Sequence, residues 1–215
     1  KIKKLLRENS YNKNIMIGFN RRFSPAIEKL MKVIPSNSPK SILMRINNKH
    51  IKPDHWTNDL EIGGGRVISD ACHFIDLSIY IARSEVVSIS AECMSDPNNL
   101  RNSVLISLKF ANGSISSINY FSNGNENLSK EYIEVYSDSS ICIIEDFKSL
   151  KIIEKRLNKI NYKFQDKGHI NCVNKFLESV KEGTESPISF EEIYQSSLVT
   201  LLVNKSISEN RKIEL

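Results

Sequence analysis

The chain has 215 residues, a net charge of +5, 40% hydrophobic and 26% charged residues, the profile of a folded domain with a core of its own. The basic excess is interspersed with acids and no arginine–aromatic cluster marks a nucleic-acid groove, while no run of about 18 apolar residues could span a bilayer. The opening KIKKLLR lacks the apolar centre of a signal peptide, and the four cysteines include no CxxC pair, so the expectation is a cytoplasmic protein with reduced thiols and neither nucleic-acid nor membrane partners.

In chain order, Leu5 to Glu8 reads as the end of a helix and Asn14 to Asn20 as a short buried strand. Ser24 as N-cap, Pro25 at the first helical position and the spacing of Ile27, Leu30, Met31 and Ile34 predict an amphipathic helix. From Ser41 to Asn47, Ile42, Met44 and Ile46 alternate as on a half-buried strand. The loop NKHIKPDHWTNDLEIGGG is long enough to suggest function. Val67 to Arg83 is the clearest helix, with Val67, Ala71, Ile75, Ile79 and Ala82 near helical spacing. Strands are expected over Val87 to Cys93 and Val104 to Phe110, with Asn112-Gly113 turning into Ser114 to Phe121. Lys130 to Tyr136, Ser140 to Glu145 and Lys151 to Lys155 follow as strands, and two helices, Ile170 to Glu182 and Phe190 to Ser208, come last. This order predicts an α+β fold: an open, predominantly antiparallel sheet with helices packed on one face. A polar face carrying Ser88, Ser90, Ser107, Lys109 and Ser116 is expected to look toward solvent or a second subunit.

The chemistry concentrates in GGGRVISDACHFIDL, residues 63–77. Helical spacing stacks Ser69, His73, Asp76 and Tyr80 on one stripe, and Asp70 lies three residues before His73. A histidine there can exchange a proton near neutral pH; it can equally be a helix histidine satisfied by Asp70 or Asp76. The glycines allow close backbone approach at a helix N-terminus, which favours an anion. Arg66 is a cation at the wrong end of the dipole, so it makes sense against a carboxylate or phosphate. His55 and Trp56, on the preceding loop, suit a sugar or a base, or else a structural plug. No HxxxH, HxH or CxxC spacing supports a metal site, and no GxGxxG, GxxxxGK or GxSxG is present.

IMIGFNRRFSP (15–25), PDHWTND (53–59), GGGRVISDACHFIDL (63–77) and the tail KGH…FLESVKEGTESPISFEEI (167–193) together resemble the glucose-fructose oxidoreductase / inositol dehydrogenase / rhizopine catabolism (Gfo/Idh/MocA) family of NAD(P)-dependent sugar dehydrogenases. The resemblance is to bacterial members associated with surface polysaccharide synthesis. It implies that this is the C-terminal substrate and oligomerisation domain of a two-domain dehydrogenase, over residues 21–215. Residues 1–20 would be the last helix and strand of a Rossmann domain. It further implies His73 as the acid/base group, with Asp70 standing in for the aspartate that many relatives carry at position 69. Arg21 would lie near the cofactor, and Asn47, His55, Trp56, Arg66, Ser69 and Asp76 around the substrate. NAD or NADP would serve the full-length protein, with none bound by this chain alone. The expected ligand is a sugar or nucleotide sugar, and a homo-oligomer would form through the open sheet face. The chain would be a fragment of a longer protein, inactive in isolation. A catalytically silent binding or dimerisation module, or an isomerase or lyase using the same pocket, remain the alternatives.

Overall fold

The computed structural model describes residues 14–59, 61–97 and 99–215. The helix end expected at Leu5 to Glu8, and most of the segment 1–20 assigned to a neighbouring domain, lie outside these residues. Asn14 to Phe19 forms no strand and leads into a 3-10 turn, Asn20–Phe23. Ile15 and Ile17 are exposed, and no strand among the described residues pairs with them, so the predicted apolar alternation has no ladder to join.

Helix α1, Pro25–Val33, begins as expected, with the Ser24 hydroxyl accepting from the Ala26 N–H and Pro25 in the first turn. Strand β1 runs Ser41–Lys49. A π-helical turn, Val67–Ala71, continues directly into α2, Cys72–Ala82. Strands β2 (Val86–Cys93), β3 (Val104–Phe110), β4 (Ile115–Gly124), β5 (Glu131–Ser137), β6 (Ser140–Glu145), β7 (Ser149–Ile153) and β8 (Leu157–Asn161) follow. Helices α3 (His169–Glu182) and α4 (Phe190–Glu209) then precede a two-residue strand β9, Ile213–Glu214. Ser189 and Glu192 close a capping box at the start of α4, which satisfies two of its free N–H groups.

The strands form one sheet in the order β8-β7-β6-β5-β1-β4-β3-β2-β9. Among the described residues only β1 and β4 run parallel; every other pair is antiparallel. The expected α+β class therefore holds. Two strands escape the sequence reading: β8 has no buried alternation and β9 is too short for any pattern.

One face of the sheet is the core. Ile42, Met44 and Ile46 of β1, Ile118 and Tyr120 of β4, and Ile133 and Val135 of β5 pack with Ala26 and Leu30 of α1, Phe74 and Leu77 of α2, and Val199 and Val203 of α4. Burial at this scale is the dominant stabilising term. Helix α3 stands apart, in a second cluster where Cys172 meets Phe19, Phe23, Ile188 and Ile193. The other sheet face is open, with Ser90, Ser107 and Lys109 exposed. Ser116, expected on that face, points inward instead, because it shares register with Leu108 of β3 and exchanges a hydrogen bond with Ser78 of α2 at 2.9 Å. Ser88 is buried too, beside the bulge between Val86 and Ser88 and the short strand β9. All four cysteines are free thiols.

Candidate functional site

Strand parity builds the site. Inward-facing Ile42, Met44 and Ile46 make Asn48 the next inward residue of β1, and Ile118 makes Tyr120 the next on β4. The π turn brings Asp70 and Arg66 against them. A π turn widens the helix by one residue and is a common device for re-aiming side chains. The Tyr120 hydroxyl donates to Asp70 Oδ2 at 2.6 Å. Arg66 Nη2 donates to the same oxygen at 3.2 Å and also to the Tyr120 hydroxyl. Asn48 Nδ2 donates to it at 3.3 Å, and Lys130 Nζ lies 4.0 Å away.

All these donors converge on one oxygen, and Asp70 Oδ1 has no protein partner among the described residues. Asp70 lines a cleft of about 770 Å³ together with Asn48, Arg66, Lys130 and Lys148. Burial opposes ionisation of Asp70, but the Tyr120 hydroxyl, Lys130 and Arg66 outweigh it and hold the carboxyl below its usual range. Burial and the Asp70 charge push the Tyr120 phenol well above its usual range, so it remains a donor. Burial also keeps the Lys130 ammonium below its ordinary value, against the pull of Asp70 and Glu131. The arrangement presents a fixed carboxylate oxygen and an ammonium to whatever enters the cleft.

His73 follows on the same helix but is not among the residues that line the cleft. It is half-buried, with its ring edge-on to Phe19 at 5.8 Å between centroids. Its Nδ1 is buried without a partner among the described residues. Burial first, and then the Arg21 guanidinium, lower its pKa to about 4, against Asp70 and Glu131. The ring is therefore neutral at pH 7 and able to accept a proton.

Of the other expected site residues, Asn47 lines the cleft, whereas Arg21, His55, Trp56, Ser69 and Asp76 lie outside its lining. Arg21 is buried and bidentate to Glu131, with Nε–Oε2 at 2.9 Å and Nη2–Oε1 at 3.0 Å. Lys167 shares that carboxylate at 2.5 Å, and the guanidinium lies 4.4 Å over the Phe74 ring. Asp76, expected at the substrate, is 1% exposed and lies outside the lining of the cleft. Arg22 takes both its oxygens at 2.6 and 2.7 Å, and the Ser196 hydroxyl donates to it at 2.9 Å. Ser69 is half-buried, its hydroxyl unpartnered.

Asn47, beside the register irregularity at the end of β1, lines the cleft with Asn48. Its amide donates to the carbonyls of Asn125 and Leu128 at 2.7 and 2.9 Å and accepts from the Asn125 N–H at 3.1 Å, fixing the loop that rims the cleft. His55 and Trp56 are exposed and lie outside the lining of the cleft; the His55 Nδ1 pairs with the Thr57 hydroxyl at 2.8 Å. Arg66 meets a carboxylate, as its position at a helix start requires, but that carboxylate is Asp70 of its own chain. Sequence reasoning missed Asn48, Tyr120, Lys130 and Glu131. The first two were within reach of it, since extending the alternation of each strand by one inward position reaches them. Among the described residues no cluster of three or more His, Cys, Asp or Glu could hold a metal ion, and no helix is long and apolar enough to cross a membrane.

Comparison by sequence matches residues 39–139 to the GFO/IDH/MocA C-terminal domain; no curated protein matches. By structure, the chain is similar to an oxidoreductase domain protein from Kribbella flavida, with TM-score 0.84 and 15% identity over 97% of this chain and 67% of that one. It is similar to the UDP-N-acetylglucosamine 3-dehydrogenase GnnA from Acidithiobacillus ferrooxidans, with TM-score 0.79 and 14% identity over 97% and 65%. It is also similar to levoglucosan dehydrogenase in complex with NADH, with TM-score 0.80 and 16% identity over 99% and 69%. At such identities the likeness is one of fold, and the chain spans about two thirds of the length of these structures. Residues 39–139, which hold β1 to β5, thus match the GFO/IDH/MocA C-terminal domain, and the whole described fold is that of structures named as oxidoreductases and dehydrogenases.

Proposed function

We propose that this chain is the substrate-side domain of a cytoplasmic NAD(P)-dependent oxidoreductase acting on a hydroxyl-bearing carbon of a sugar or nucleotide sugar. The observation that carries this reading is the pairing of two groups on one helix. Asp70 is held ionised and lines the cleft, and His73, three residues on and outside that lining, is neutral with its buried Nδ1 unpartnered among the described residues. In oxidation His73 accepts the proton of the reacting hydroxyl, while Asp70 and Lys130 orient neighbouring polar groups.

The described residues do not fit a dinucleotide: they contain no parallel strand–helix–strand unit with a glycine-rich turn, and the guanidinium of Arg21 is consumed by Glu131. On this reading the hydride acceptor would be held by another part of the protein. Ile170, Val173, Leu177 and Val180, exposed along one side of α3, favour such a covering unit. So does the NADH complex of a protein of similar fold.

The test uses the full-length protein, NAD+ or NADP+, and a panel of sugars and nucleotide sugars. His73→Ala is expected to lower turnover by about 10²- to 10⁴-fold with dinucleotide affinity nearly unchanged. Unaltered turnover would remove His73 from the mechanism. The second reading, a silent dimerisation module, is favoured by Leu43, Leu105, Ile115, Tyr136 and Leu157, exposed on the open sheet face. It prevails if no substrate is turned over and the protein sediments as a dimer.

A further inference from the structure

We infer that a second cleft, behind the glycine turn, is a binding site for a phosphate-bearing anion of the diphosphate class. It measures about 440 Å³ and is walled by three separate segments: Gly64 to Val67, Asn99 to Arg101 in the β2–β3 connection, and Asn204, Lys205 and Ser208 on α4. Three of its lining residues are cations, Arg66, Arg101 and Lys205, and none is a carboxylate.

The contrast with the first cleft is one of charge pairing. There Lys49, Arg66, Lys130 and Lys148 are matched by Asp70, Glu126, Glu145 and Asp146. Lys49 pairs with Glu126, Arg66 and Lys130 with Asp70, and Lys148 with Asp146. An anion entering that cleft meets a charge-balanced wall. In the second cleft, Arg101 is exposed and its guanidinium meets no carboxylate among the described residues. Its backbone is held by Asp96, whose carboxylate accepts from the N–H groups of Leu100 and Arg101 at 3.0 Å each and lines a different, smaller cavity. The Lys205 ammonium stands 3.8 Å from Glu209, a carboxylate that Arg211 already holds at 2.6 Å. Arg66 is nine-tenths buried, and its Nε is without a partner among the described residues.

The backbone contributes in the same sense. Gly64 and Gly65 adopt φ of 71° and 79°, a region that favours glycine. They turn the chain so that the helical run 65–82 begins at the cleft wall. The first N–H groups of a helix and the positive end of its dipole favour an anion. Arg66 is matched by Asp70, but Arg101 and Lys205 with a helix start still suit two or more negative charges better than a single carboxylate, which selects a diphosphate. Joined to the oxidoreductase reading, and resting on it in that respect only, the site selects nucleotide sugars over free sugars.

The experiment is calorimetric titration of the protein with inorganic pyrophosphate, and separately with orthophosphate and UDP, at low and moderate salt. Pyrophosphate is expected to bind, more weakly as salt rises. Arg101→Ala and Lys205→Ala should each weaken it by about tenfold, as for loss of one charge-assisted contact. Lys148→Ala, in the charge-balanced cleft, should leave it unchanged. Both informative positions are exposed, so circular dichroism should report an intact fold. UDP binding tighter than pyrophosphate supports the site and identifies a nucleoside diphosphate; equal binding supports it for a bare phosphate group. Absence of binding by all three probes overturns the inference. Binding indifferent to Arg101→Ala and Lys205→Ala, or lost only in Lys148→Ala, does so as well. These outcomes do not depend on turnover, so a silent His73 and an empty anion site are separable failures.

Discussion

Replacing Asp76 by Asn should destabilise the fold far more than any change at the cleft. The carboxylate is 1% exposed and accepts two hydrogen bonds from Arg22, at 2.6 and 2.7 Å, and one from Ser196 at 2.9 Å. Asparagine keeps one acceptor but turns an NH₂ group toward the guanidinium, so a donor faces a donor. Arg22, itself 3% exposed, would be left with Glu192 alone, at 2.5 Å on Nη1 and with that carboxylate 41% exposed. Breaking one partner of a buried pair costs about 3–5 kcal/mol, because the other charge stays desolvated. For a domain of this size that corresponds to a fall in Tm of roughly 6–20 °C. Urea and thermal unfolding followed by circular dichroism measure it. The double substitution Arg22→Met with Asp76→Leu should cost less than Asp76→Asn alone, since it removes both charges from the interior. A single variant within about 1 kcal/mol of the parent, or a double variant worse than the single, would refute this account of the pair.

Two further predictions concern the surroundings of the cleft. His73 has a folded pKa lowered to about 4 from an unfolded value near 6.5, so the unfolded chain binds the extra proton first. Its contribution to stability is complete above pH 6.5 and declines as the pH falls toward 4, by about 2–3 kcal/mol for this half-buried ring. Asp70 and Glu131, held below their usual range, add a loss of the same sign only at lower pH. His73→Gln should flatten the urea midpoint between pH 6.5 and 4.5, and an unchanged slope would count against the assignment. Gly124→Ala would set a Cβ 1.7 Å from Asn47 Oδ1 and 2.9 Å from the Asn48 carbonyl. Asn47 must then release Asn125 and Leu128, at a cost of about 1–3 kcal/mol, with faster hydrogen exchange at the Asn125 amide. Exchange at the parent rate would show that Asn47 does not hold the loop.

The architecture was legible wherever one face of an element is buried. Ile42, Met44 and Ile46 announce β1, and Val104 to Phe110 announces β3, because burial on one side imposes a period of two. The helix over 67–82 was legible for the same reason, and its π turn was not. Periodicity reports which side is apolar and does not by itself reveal one widened turn at 67–71. Arg21 and Arg22 are adjacent in sequence and read alike, yet one binds Glu131 and the other Asp76. Those partners lie far along the chain, so the choice is made by the tertiary fold. His55 and Trp56 carry suggestive chemistry on a long loop, but nothing local decides whether such a loop folds toward the sheet or away from it.

The position of β1 bears on how the molecule assembles. Its two neighbours, β4 and β5, both come later in the chain and do not touch each other in the sheet. The meanders β2-β3-β4 and β5-β6-β7-β8 can each form from consecutive hairpins, but only the earlier-made strand stitches them into one sheet. Until both are ready, β1 is an apolar ribbon with two unsatisfied edges, the state most open to self-association. The keystone of this fold is therefore made early, and both its edges are paired only once β4 and β5 exist.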